Sequence, residues 1–247
     1  MNALLQRLGT GLARYLSQPR HIHSVAGATP LDLLRGCLQP ADVVLVEGNS
    51  RISTAIKYLT QSTWSHAVLF VGGPEESCFV EADTVDGVRS IGLQAFNGLH
   101  TRICRAHGLS DAERRAVTEF VSERIGYQYD LRNLFDLARY LLPTPPVPSH
   151  VRRDMIALGS GDPTRAICST LIAEAFQSIR YPILPFHRVV EDCDGCHKEL
   201  LRLRHHSLFA PRDFDVSPYF SVIKPSLSGE FDFHRLCWEN DSKADSP

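Results

Sequence analysis

The sequence predicts an α+β domain: a small antiparallel sheet packed on a helix that begins at a cysteine. Three observations predict it. Short apolar runs separated by glycine-containing turns fill residues 42–105. Capped helical patterns take over beyond Ser110. Three chemically capable side chains stand at the ends of these elements. His66 opens the apolar part of Trp64-Ser65-His66-Ala67-Val68-Leu69-Phe70, Glu81 closes Phe79-Val80-Glu81-Ala82, and Cys168 leads Ile167-Cys168-Ser169-Thr170-Leu171-Ile172.

The elements follow in order. Leu4, Leu5, Leu8, Leu12, Tyr15 and Leu16 recur at helical spacing among Arg7, Arg14 and Arg20, so residues 1–37 read as an amphipathic N-terminal segment. Asp42 to Gly48 reads as a buried strand ending at a glycine turn. A short helix over Ser53 to Thr60 has Ser50 or Ser53 as its cap. Residues 66–71 and 78–82 read as a hairpin around Gly72-Gly73-Pro74-Glu75-Glu76, with further strands at Val88 to Ile91 and Thr101 to Arg105. Ser110-Asp111-Ala112-Glu113 has the form of a capping box, whose helix should run to about Ile125 before Gly126 stops it. Asn133 to Leu142 reads as a helix ended by Pro143, and the Pro143 to Pro148 stretch as an extended connector. The Cys168 to Ile179 helix buries Leu171, Ile172, Ala175, Phe176 and Ile179. The expected organisation is an N-terminal segment (1–37), a catalytic domain (38–185), an extension packed on it (186–239) and a disordered tail (240–247).

Composition excludes several classes. A formal charge of −2 over 247 residues gives no global attraction to nucleic acid, and no aromatic-basic pattern suggests it as a partner. No segment approaches the roughly 18 apolar residues of a membrane span. Seven scattered cysteines, an odd number, argue against a disulfide framework and for a reducing, cytoplasmic setting. Peripheral membrane contact through residues 1–20 is the one membrane association the pattern allows.

Cysteine, histidine and a polar orienting group are the parts of a thiol nucleophile site. A thiol reacts as its thiolate, which a helix N-terminus and a neighbouring imidazolium both favour. The Gly159 to Thr164 stretch cannot be helical throughout, so a helix starts close to Cys168 and leaves amides free to hold an oxyanion. If the hairpin pairs residues near 66 with residues near 81, Glu81 can accept a hydrogen bond from the His66 ring and fix its tautomer. Each residue alone has a blander reading: buried cysteines are usually small core residues, and strand-end histidines and glutamates are usually structural or solvated. The combination is what points to chemistry.

The segments Ala41-Asp42-Val43-Val44-Leu45, Ser65-His66-Ala67, Val80-Glu81-Ala82, Gly126-Tyr127-Gln128-Tyr129-Asp130 and Ile167 to Ile172 together resemble the permuted papain-like branch of the NlpC/P60 superfamily, the YiiX/YebB-like cysteine hydrolases. The likeness covers roughly residues 38–185. It implies a circularly permuted papain-like (NlpC/P60) fold, consistent with the order His, Glu, Cys, which reverses that of papain-type enzymes. It also implies Cys168 as nucleophile, His66 as general base and Glu81 as the residue orienting it. Tyr129 is a candidate hydroxyl on the substrate or oxyanion side, and Ser65 and Arg165 complete the candidate substrate-binding set. Ala41 stands where the family has glycine, which touches only a turn. The chemistry implied is cleavage of an amide or ester, in a peptide or lipid, through a Cys168 thioester. Two alternatives stand beside it: a lipid-directed acyltransferase or thioesterase at a membrane surface, and a non-catalytic peptide- or lipid-binding relative.

Other features carry less. Cys193-Asp194-Gly195-Cys196-His197 matches a haem-attachment pattern and half of a zinc site completed by His205 or His206, but such short motifs are unspecific. No cofactor and no metal are expected. Arg152, Arg153 and Arg165 read either as an anion-recognising group or as solvated charge.

Overall fold

The computed structural model describes residues 28–83, 86–128, 167–191 and 197–224. Its centre is an antiparallel sheet. β1 (Val43–Val46), β2 (His66–Phe70), β3 (Phe79–Asp83), β4 (Gly87–Ile91), β5 (Thr101–Ala106) and β8 (Phe220–Ile223) lie in the order β4-β3-β2-β1-β5-β8. With the helices that pack on it, this makes the fold α+β.

Alternation along β1 explains why its four residues are all apolar. Val43 and Leu45 face one core cluster, with Ala67, Leu69 and Val80 beside them. Val44 and Val46 face the other, with Val68, Phe79 and Ile103. A strand covered on both faces has no polar side to show. The first face is covered by α3 (Asp111–Ser122) through Val117 and Val121, and by α4 (Ile167–Ser178) through Leu171, Ile172 and Phe176. The second is covered by α1 (Leu31–Cys37) through Leu34 and by the 3-10 turn Leu93–Phe96. The 1–37 segment therefore contributes a core residue from its C-terminal end.

The entry to β1 is fixed by charge. Asp42 is fully buried, and both its oxygens accept from Arg105, at 2.8 Å from Nε and 2.7 Å from Nη2. Such bidentate geometry compensates a buried carboxylate well. Ala41 has φ +71°, a left-handed conformation that strains a residue with a Cβ. The expected turn is there, and its conformation is the reason glycine suits this position.

Several boundaries differ from expectation. α2 (Arg51–Thr60) begins two residues before Ser53, because Ser50 is the cap and accepts from the Ser53 amide. The Ser110/Glu113 capping box is present, but α3 stops at Ser122; a turn then leads to Gly126 at φ +91°. β8 was not anticipated, although it completes the sheet beside β5. β6 (Phe186–Glu191) and β7 (His197–Arg202) form a separate two-stranded ribbon, and α5 (Pro211–Val216) precedes β8. The N-terminal helix over residues 1–20, the 133–142 helix, the proline connector, Cys193, Cys196 and the 240–247 tail lie outside the described residues. Among the described residues no helix is long and apolar enough to cross a membrane.

Candidate active site

β2 opens with His66, and its Nε2 lies 2.6 Å from Glu81 Oε2. The hairpin register brings the two residues near one another. Leu69 pairs with Val80 and Phe70 with Phe79, and the ladder between β2 and β3 ends there. His66 pairs instead with Val46 of β1, and Glu81 with Arg89 of β4. The expected direct pairing of residues near 66 with residues near 81 is therefore not made by the backbone, and the two side chains meet beyond the end of the ladder.

Glu81 is held from its other side as well. β3 and β4 pair Glu81 directly with Arg89, whose Nε and Nη2 each lie 2.9 Å from Oε1. The carboxylate is nearly buried, with 8% of its side chain accessible. Burial favours the neutral acid, but hydrogen bonds and charge from His66 and then Arg89 outweigh it and hold Glu81 below the usual carboxylate range.

The Cys168 thiol lies beside the His66 ring, near enough for its charge and hydrogen bonding to act on the ring. An ionised Glu81 can only accept, so Nε2 carries a proton and Nδ1 is the ring nitrogen left for sulfur. Burial opposes charge on the ring, yet Cys168 and Glu81 together raise its pKa well above 6.5. The arrangement therefore favours an imidazolium between two groups able to carry negative charge. Cys168 is buried in the first turn of α4. Next to it, Ser169 Oγ donates to the Phe209 carbonyl at 2.6 Å, which ties the head of this helix to the C-terminal segment.

The start of β2 is fixed by neighbours. Ser65 is buried; its Oγ accepts from the Gly48 amide at 2.9 Å and donates to the Val46 carbonyl at 3.4 Å. These bonds fasten the end of β1 to the start of β2, a structural task not foreseen for a residue expected beside substrate. Trp64 is buried, and its indole donates to Asp215 at 3.0 Å, while Arg102 reaches the other oxygen of Asp215 at 2.7 Å.

His66, Glu81 and Cys168 are thus brought together, and Ser65 precedes His66 in the chain. Tyr129 and Arg165 lie outside the described residues. Sequence reasoning missed Arg89, because a lone arginine in a strand does not announce its partner; only the β3–β4 register does. It also missed Glu47, which meets His100 Nδ1 at 3.2 Å and Lys57 Nζ at 3.3 Å beyond the end of β1. Among the described residues no three His, Cys, Asp or Glu side chains gather as a metal site.

Residues 37–140 match the family described as permuted papain-like amidase enzyme, YaeF/YiiX, C92 family. The span includes His66, Glu81 and Arg89 and ends before Cys168. The resemblance to YiiX-like permuted papain-like proteins read from the sequence is thereby shown. A crystal structure of the metalloprotein yiiX from Escherichia coli O157:H7 is similar, with a TM-score of 0.45 and 13% identity over 75% of this chain and 96% of that one. No curated protein matches the sequence.

Proposed function

We propose that this chain is a cysteine hydrolase of the amidase or peptidase type, with Cys168 as nucleophile, His66 as its proton partner and Glu81 orienting the ring. The observation that carries the reading is the His66 ring held at 2.6 Å by a buried carboxylate and set beside a cysteine in the first turn of a helix. The family description as an amidase supports the same class.

In this reading the Cys168 sulfur attacks the substrate carbonyl and forms a thioester. First-turn amides of α4 are proposed to receive the developing oxyanion. His66 gives its proton to the departing amine or alcohol, then takes one from the water that cleaves the thioester. Glu81 keeps Nε2 occupied, so that the proton handled in each step is the one facing sulfur. Ser65 serves by fixing the strand that carries His66. Tyr129 and Arg165 are proposed to contact the substrate from the segment preceding α4.

The test needs no substrate. Iodoacetamide labelling of each cysteine, followed by peptide mapping at neutral pH, is run on the wild type and on His66→Ala. Cys168 should label rapidly in the wild type and slowly in the variant. Cys104, whose pKa burial and then Asp215 push up to about 12, is the inert internal control. Slow labelling of Cys168 that His66→Ala leaves unchanged would overturn the hydrolase reading in favour of a binding module.

A further inference from the structure

We propose that Arg89 is a positioning residue of this site: it clamps the Glu81 carboxylate on His66 Nε2 and so keeps the ring in one orientation toward Cys168. The inference rests on the hydrolase reading above and goes beyond it, because the family resemblance assigns no role to this arginine. Three observations carry it. Arg89 lies directly across from Glu81 in the β3–β4 ladder, so the backbone sets their proximity. Two guanidinium nitrogens, Nε and Nη2, share Glu81 Oε1 at 2.9 Å each, which leaves Oε2 alone to meet His66. The guanidinium is itself fixed by Asp86 Oδ2 on Nη1, from the turn before β4, and by Asp83 Oδ2 at 3.8 Å from Nη2, from the end of β3.

A carboxylate with only one partner can rotate about its last bond and exchange oxygens. With Oε1 held by the guanidinium, that rotation breaks the charge-assisted hydrogen bond from Nε and the ion-pair contact of Nη2. The order of the site then reads Asp86, Arg89, Glu81, His66, Cys168, with each group holding the next. Arg89 does not reach sulfur or substrate in this chain of contacts, and its effect passes through Glu81.

The experiment is a double-mutant cycle read by iodoacetamide labelling of Cys168 against pH, on the full chain. The variants are Arg89→Met, Arg89→Lys, Glu81→Gln, the Arg89→Met/Glu81→Gln double variant and His66→Ala, with thermal unfolding measured for each. Arg89→Met should slow labelling on the order of tenfold, as loss of an outer partner of a working histidine commonly does. The acidic limb of its profile should move to higher pH, because Glu81 loses a cation that favours its ionised form. Arg89→Lys should restore the limb and part of the rate. In the Glu81→Gln background, Arg89→Met should change neither rate nor profile, since the residue it acts through is already neutral.

A profile for Arg89→Met that overlays the wild type overturns the proposal, as does an effect of equal size with and without Glu81→Gln. If Arg89→Met unfolds the protein, Arg89→Lys and its cycle with Glu81→Gln carry the same test. The His66→Ala arm separates the two ideas. If His66→Ala slows labelling while Arg89→Met does not, the Arg89 proposal alone fails. If His66→Ala has no effect, the hydrolase reading fails first.

Discussion

Glu81 sits between a cation that titrates and one that does not, and this makes it the residue whose substitutions are most informative. Glu81→Gln preserves an oxygen able to accept from Nε2, so the ring keeps its orientation but loses the stabilising charge. Glu81→Ala loses both and leaves Arg89 with only Asp86 and Asp83. Labelling of Cys168 should therefore fall by roughly ten- to a hundredfold in Glu81→Ala and by clearly less in Glu81→Gln; equal rates in the two variants would remove the orienting role. His66 itself imposes a pH dependence on stability. Its folded pKa lies above 6.5, so the stabilisation it contributes is fully present below that value and is lost as pH rises through the folded one. Glu81 runs the other way: its contribution is present above its ordinary value of 4.5 and is lost as pH falls through the depressed one. Urea unfolding of the wild type and His66→Gln should thus converge as pH is raised, and a constant difference would contradict the ring's ion pairing. The residue types of this site could be read from the sequence, since strand-end His and Glu and a helix-start Cys are uncommon together. The Arg89 clamp could not be read, because its meaning lies in register and not in local pattern.

The elements place the site through their turns. β4 begins at Gly87, with φ +76°, where a Cβ would lie 2.3 Å from the Tyr127 carbonyl oxygen. That closeness is used: the Val88 amide donates to Tyr127 O at 2.9 Å and the Gly126 amide to Val88 O at 2.8 Å, so the 126–127 segment docks against the strand that carries Arg89. Gly87→Ala meets both the left-handed penalty and a backbone clash, so we expect a loss of about 2 kcal/mol or more. Gly108 shares the left-handed conformation with open space around its Cα, so Gly108→Ala should cost only the conformational part, about 1 kcal/mol. Chemical denaturation of both variants checks this, and equal losses would show that the Tyr127 contact does not limit the site. Gly36 in α1 has neither constraint, and Gly36→Ala should stabilise by about 0.5 kcal/mol. Elements with a strong local signal matched expectation closely. The apolar run of β1, the hairpin glycines and the Ser110/Glu113 box all act within a few residues. α3 ended early because the backbone of residues 123–126 closes turns instead, as in the Arg124 amide bonding Val121 O.

At the scale of the whole molecule, the C-terminal segment belongs to the sheet and to the core beneath the cysteine helix. Its contributions were invisible beforehand because each depends on a distant partner. Phe220-Ser221-Val222-Ile223 is too short a run to declare itself, and becomes a strand only by pairing with Ile103 to Ala106. Phe220 then packs edge-on against Phe176 of α4 at 5.2 Å between centroids, and against Phe214 at 5.6 Å and Tyr181 at 5.7 Å. Ser169 and Gln177, both on α4, donate to the carbonyls of Phe209 and Arg204, each at 2.6 Å. The helix that presents Cys168 is therefore gripped along its length by residues 204–220, while its other side lies on β2 and β3. Phe220→Ala should cost about 3–5 kcal/mol, as for other fully packed aromatic side chains. Because the same ring supports α4, the loss should reach the site: labelling of Cys168 should lose its dependence on His66 at denaturant concentrations where far-UV circular dichroism is still native. Ser169→Ala separates packing from alignment. It removes one hydrogen bond and leaves a buried carbonyl unpaired, a loss of about 1–3 kcal/mol without a cavity in the aromatic cluster. If Phe220→Ala unfolds cooperatively, with Cys168 reactivity and helix signal lost together, the segment acts through global stability alone. If reactivity is lost first in both variants, the C-terminal segment sets the position of the nucleophile.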